Sequence, residues 1–229
     1  MRRWGYLVAG LYALILLGLT PPLYYLQGKV EAEDGWRFLL AWQYWLLGIL
    51  PLVAGQLLLL LVPVRAAEGR LRSRRPLLVP VITAAFFLAV LVFMAVGSVC
   101  CAAWGDGVLV FADRWWPLPV SAVLVLWTAW GLLFYRFSRE ADPEALTRRL
   151  VAWLLRGSIL ELLVAVPSHI VTRSKDDCCA PGATLVGIAT GISVMLMSFG
   201  PGVFWLFAAR CAKLRPKGAL AEPARGPSE

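Results

Sequence analysis

Six blocks of apolar sequence, at about 5–27, 38–64, 77–102, 118–136, 150–172 and 183–209, leave this chain few ways to fold. Each meets or approaches the roughly 20 residues that an α-helix needs to cross about 30 Å of hydrocarbon. That layer offers no water to backbone N–H and C=O groups, so a spanning segment must satisfy them internally, as a helix does. The chain is 60% hydrophobic and 16% charged, against about 45–50% apolar for a soluble domain. The excess sits in these blocks, and no connection between them has room for a soluble catalytic domain. The expectation is an all-α polytopic membrane protein, with six transmembrane helices in one domain over residues 1–212. Residues 213–229, rich in Pro, Gly, Ala and charge, are expected to form a disordered tail.

Met1-Arg2-Arg3 resembles the start of a secretory signal. The apolar run after it exceeds the usual length of about 7–15 residues and lacks a small-x-small cleavage site, so it reads as a retained first helix.

Charge placement sets the expected topology. Of the 22 basic residues, 16 fall in alternate connections: Arg2 and Arg3; the 65–75 loop; Arg136, Arg139, Arg148 and Arg149; and the 210–225 region. The other three loops hold Lys29, Arg37, Arg114, Arg173 and Lys175, and Arg156 lies inside the fifth segment. Basic residues resist translocation, so the rich side is expected in the cytoplasm, with both termini there and the protein in the cell inner membrane. Topology thus explains the net charge of +8. With no recognition motif, a nucleic-acid partner is not expected. The expected partners are the bilayer, including its anionic headgroups, and other membrane proteins or a second copy of the chain. Trp36, Trp42, Tyr44, Trp45, Trp104, Trp115 and Trp116 cluster where an interfacial aromatic belt would lie.

The fifth segment has two faces. At 100° per residue, Gly157, Ser158, Ala165, Ser168 and Thr172 fall within about 60° of Glu161, and His169 at about 80°. Leu155, Ile159, Leu163, Val166 and Ile170 fill the other side. The small, polar face is expected to turn into the bundle. An ionised carboxylate in hydrocarbon costs several kcal/mol, so Glu161 is expected to face the interior or water. Three roles are open to it: a protonatable site in a transport path, a structural hydrogen-bonding group between helices, or a partner for a cation or substrate. Arg156 points away and is expected to snorkel toward headgroups. Pro167 removes one helical hydrogen bond and crowds the Leu163 carbonyl, re-aiming Ser168 and His169. His169, the single histidine, suits packing, proton transfer or metal binding.

In the sixth segment Gly187 and Gly191 form a Gly-xxx-Gly spacing, extended backward by Ala183. Such spacing lets helix backbones approach closely in membranes. Its natural partner is the small face of the fifth segment. Gly200-Pro201-Gly202 interrupts the same segment with a kink or hinge. Gln43 and Gln56 are expected to hydrogen-bond between helices.

The third segment ends in Cys100-Cys101, and the last loop reads Arg173-Ser174-Lys175-Asp176-Asp177-Cys178-Cys179. The topology puts both cysteine pairs on the oxidising side, where bridges tying the third segment to this loop are expected. Thiol redox chemistry and metal binding through Cys178, Cys179, His169, Asp176 and Asp177 remain open. The spacing fits no standard zinc pattern and no Cys-x-x-Cys occurs. No cofactor is identified. The chain shows no phosphate loop, nucleophile elbow or haem motif, which weighs against an enzyme. The leading expectation is a small transporter-like protein or membrane-complex subunit. Its polar site would lie between the third, fifth and sixth segments, formed by Glu161, Ser168, His169 and Arg173. The alternatives are a thiol-redox or metal-handling protein, and a scaffold for partner subunits.

Overall fold

The computed structural model describes residues 6–8, 10–19, 42, 44–67, 78–138, 143–175 and 179–214. These residues are almost wholly helical and include no strand. In chain order the helices are α1 (Tyr6–Leu19), α2 (Leu50–Ala67), α3 (Leu78–Trp104), α4 (Gly107–Arg114), α5 (Pro117–Ser138), α6 (Pro143–Arg173) and α7 (Ala180–Leu214). Pro51 has no N–H to give the preceding turn, and Tyr44–Ile49 just before α2 winds as a π-helix.

Among the described residues, four helices are long and apolar enough to cross a membrane: α3, α5, the Ala145–Arg173 part of α6 and the Ala180–Phe204 part of α7. They coincide with the third to sixth apolar blocks. α1 and the Leu50–Leu60 part of α2 are shorter apolar helices. The loops around 29–37 and 70–75, Asp176, Asp177, Cys178, Gln43 and the tail from Arg215 onward lie outside the described residues.

Two expectations about connections change. The polar stretch before 150, expected to form a short surface helix, is continuous with the helix of the fifth block. That helix starts at Pro143, whose fixed φ suits a first helical turn, and Leu146 and Leu150 in the added turns are buried. The loop after α3 contains a helix of its own, α4, with no buried residue.

α3 is the central helix, packed against α2, α5, α6 and α7. α7 packs on α6, α3 and α2. Leu88 and Leu91 of α3, Leu150 and Leu154 of α6, and Val194 and Met197 of α7 belong to one buried cluster. α5 is peripheral, with only Phe134 and Ser138 buried. Trp127 of α5 donates its indole N–H to the Ile82 carbonyl of α3 at 3.0 Å, and its ring meets Phe86 edge-on.

Candidate functional site

α6 turns its small and polar side inward, as its sequence periodicity requires. Ser158, Glu161, Ala165, Ser168 and Thr172 are buried, whereas Ile159, Leu163, Val166 and Ile170 are exposed. Arg156 is exposed too.

Glu161 is 2% exposed, and neither carboxylate oxygen has a hydrogen-bond partner among the described residues. The reason it fits lies on α7. A Cβ on Gly187 would come within 3.3 Å of Glu161 Oε1 and 2.9 Å of Ser98 Oγ of α3. A Cβ on Gly191 would collide with Glu161 Oε2. The Gly-xxx-Gly pair therefore brings two backbones together and also leaves the volume that the carboxylate fills. Gly157 makes room on the α3 side for a leucine instead, since a Cβ there would meet Leu88 at 2.6 Å.

Nearer the Asp106 end of the bundle the same seam carries hydroxyls. His169 Nδ1 lies 2.9 Å from Thr184 Oγ1 of α7. Thr172 donates to the His169 carbonyl at 3.0 Å and lies 3.3 Å from Thr184. Thr184 also reaches the Ala180 and Pro181 carbonyls at 3.2 and 3.0 Å. Thr172 and Thr184 are fully buried, while His169 is half-buried. Ser168 donates to the Val164 carbonyl at 2.8 Å, one residue beyond the Leu163 carbonyl that Pro167 releases. Arg173 is exposed at the helix end.

The loop end is organised by a residue that sequence reasoning passed over. Gly105 takes the left-handed φ of 60° and ends α3, its N–H bonding the Cys101 carbonyl at 2.9 Å. Asp106 Oδ1 then accepts from the Cys179 and Ala180 amides at 3.0 and 2.7 Å, satisfying donors at the start of α7. Lys175 makes the reverse contact, donating to the Ala102 carbonyl at 2.5 Å at the end of α3. Thr184 and Ser98 were also passed over. An Asp after Gly at a helix end was the available signal for Asp106, but its capping target is far away in sequence.

The expected disulfide is not supported, since no two sulfurs are bonded among the described cysteines. Cys101 is buried in α3, Cys100 is half-buried, and Cys179 is exposed where Asp106 holds its amide. No three His, Cys, Asp or Glu side chains come together as metal ligands among the described residues. Among the described residues the expected interhelical bond of Gln56 is not made either: its amide is buried with no hydrogen-bond partner there, as is the Ser193 hydroxyl. A Cβ on Gly200 would lie 2.6 Å from Gln56 Nε2. Two grooves between α3 and α5, of about 350 and 290 Å³, are lined almost wholly by apolar side chains and contain neither Glu161 nor His169.

No family model, curated protein or solved structure matches the chain.

Proposed function

We propose that this is a small transporter-like protein of the cell inner membrane, with six spans and both termini in the cytoplasm, working through a carboxyl at Glu161 that takes up and releases a proton. One observation carries the reading. Glu161 is buried at the crossing of α6 and α7, with both oxygens unpartnered and two glycines leaving it room. A buried polar group without a partner needs an explanation beyond packing, and an intramembrane acid is a functional candidate by default. Had Glu161 served only to join helices, a hydroxyl or amide on α3 or α7 would be expected within hydrogen-bond distance of it.

A hydrophobic carbodiimide, which reacts with protonated carboxyls in apolar surroundings, tests the site. In the membrane-embedded protein it should modify Glu161, ever more slowly as pH rises, and Glu161→Gln should abolish the adduct at that position. Failure to modify folded protein from acidic to alkaline pH would return Glu161 to a structural role. The topology rests on the distribution of basic residues. A membrane-impermeant thiol reagent should reach Cys179 from outside the cell; labelling from the cytoplasmic side alone would overturn the orientation.

A further inference from the structure

The α6–α7 seam is built differently on the two sides of Glu161. Toward the Leu146 end it is shut by the packed cluster that includes Leu150, Leu154, Val194 and Met197. Toward the Asp106 end it carries Ala165 and Gly187, then Thr172, Thr184 and His169. A Cβ on Gly187 would sit 3.8 Å from that of Ala165, an ordinary contact between small groups, and its nearer neighbours are the polar atoms Ser98 Oγ and Glu161 Oε1. Parting the seam on this side separates little apolar surface; parting it on the other breaks the core.

We propose that Glu161 is loaded with its proton from the Asp106 end, through the α6–α7 seam, with His169 as the proton-accepting residue at the mouth. This rests on the reading of Glu161 as a proton-exchanging group.

A hydrogen count assigns the histidine's role. The Thr184 hydroxyl can donate to the Ala180 or the Pro181 carbonyl, and the Thr172 hydroxyl to the His169 carbonyl. In the tautomer that matches this arrangement the imidazole supplies the hydrogen at Nδ1, and Nε2 is the nitrogen that gains and loses a proton. His169 is half-buried, whereas the hydroxyls behind it are sealed. Eight residues of helix put it about 12 Å from Glu161 along the axis, too far for direct transfer. Water admitted by the opened seam carries the step: a proton taken at Nε2 is released to that water and ends on the carboxylate, leaving His169 neutral again.

Among the described residues, the other charged or titratable groups at this end include Arg173 on α6, Cys100 and Cys101 of α3 and Asp106 just after it, and Lys175 and Cys179 in the loop. Around Glu161, α7 presents Gly187 and Gly191 and α3 presents Ser98. That shell suits a proton. A hard metal cation takes about six oxygens, and such a set is not offered here.

The full-length protein in sealed vesicles, with pH set separately on each side, tests the route. The rate of Glu161 modification by the carbodiimide is read by mass spectrometry. It should follow the pH on the Asp106 side, falling about tenfold per unit on the alkaline limb. After a rapid pH drop on the Asp106 side, His169→Gln should slow protonation of Glu161, followed by the carboxyl C=O stretch in time-resolved infrared, and leave the acidic plateau of the carbodiimide profile unchanged. Thr172→Cys with Thr184→Cys, in a chain whose native cysteines are serine, should lock the seam when oxidised, slow modification about tenfold or more, and recover with reductant. Modification that follows the opposite side, a His169→Gln protonation rate equal to the wild type, or a lock without effect would each overturn the route. Complete absence of modification would instead overturn the role of Glu161 itself.

Discussion

Gly191 and Glu161 occupy one volume: a side-chain carbon on the glycine would fall on the carboxylate oxygen Oε2. Close-packed interiors do not yield cheaply to an added methyl group, and such overpacking costs about 1–3 kcal/mol. Gly191→Ala should therefore lower stability by that amount in thermal unfolding in detergent. The loss should shrink by about 0.5–3 kcal/mol in a Glu161→Ala background, since the two sites are in contact. A residual cost is expected from Leu162, whose Cδ2 lies 3.1 Å from the added carbon. Additive effects would mean that the carboxylate does not occupy this space.

Asp106 and the first amides of α7 form a cap across the bundle. Asp106→Ala removes the acceptor for the Cys179 and Ala180 amides. Losing a capping side chain costs about 0.5–2 kcal/mol. The loss should appear in the unfolding midpoint and as faster hydrogen exchange at residues 179 and 180. Asp106→Asn keeps an acceptor oxygen and should retain most of the protection.

Gln56 behaves in the opposite sense. Its amide nitrogen and oxygen are buried with no hydrogen-bond partner among the described residues. Burying such a group unpaired costs roughly 1–3 kcal/mol by mutational measures. Gln56→Met, similar in length and apolar, should raise the unfolding midpoint. A drop would show that the amide is satisfied by an internal water.

The sequence made the two faces of α6 legible because burial on a helix repeats every 3.6 residues, and the positions of Glu161, Ala165, Ser168 and Thr172 obey that period. It also paired Gly187 and Gly191 with α6, since small residues mark close helix crossings in membranes. It did not reveal that the glycines make space for the carboxylate, because that depends on the axial register of two helices. The continuity of α6 from Pro143 into its apolar stretch was not legible. Its first turns mix charged residues with buried Leu146 and Leu150, so mean apolarity falls there while the helix continues. Asp106 went unseen for a different reason. A cap is normally sought beside its own helix, whereas Asp106 reaches its target 73 residues along the chain. The cysteines drew attention to this corner by their chemistry, yet the contacts described there run through backbone amides and carbonyls.

Lys175 supplies the counterpart of Asp106, and the pair differ in what they should do under salt. Its ammonium donates to the Ala102 carbonyl at 2.5 Å, with Ala103 at 3.4 Å, where the carbonyls ending α3 lack helical partners. A cation at that end also meets the negative pole of the helix dipole, worth about 0.3–1 kcal/mol at an exposed site. Lys175 is exposed, so the dipole part of the interaction is open to screening. Lys175→Met keeps the aliphatic stem and removes the charge. It should cost about 0.3–1 kcal/mol at low ionic strength, and the difference from wild type should narrow toward 1 M salt, where the Debye length falls to about 3 Å. The Asp106→Ala loss should change less, because it depends on short hydrogen bonds to two particular amides. Unfolding midpoints of the two variants across a salt series would separate these cases. A Lys175→Met deficit that stays constant with salt would assign the contact to local packing of the stem.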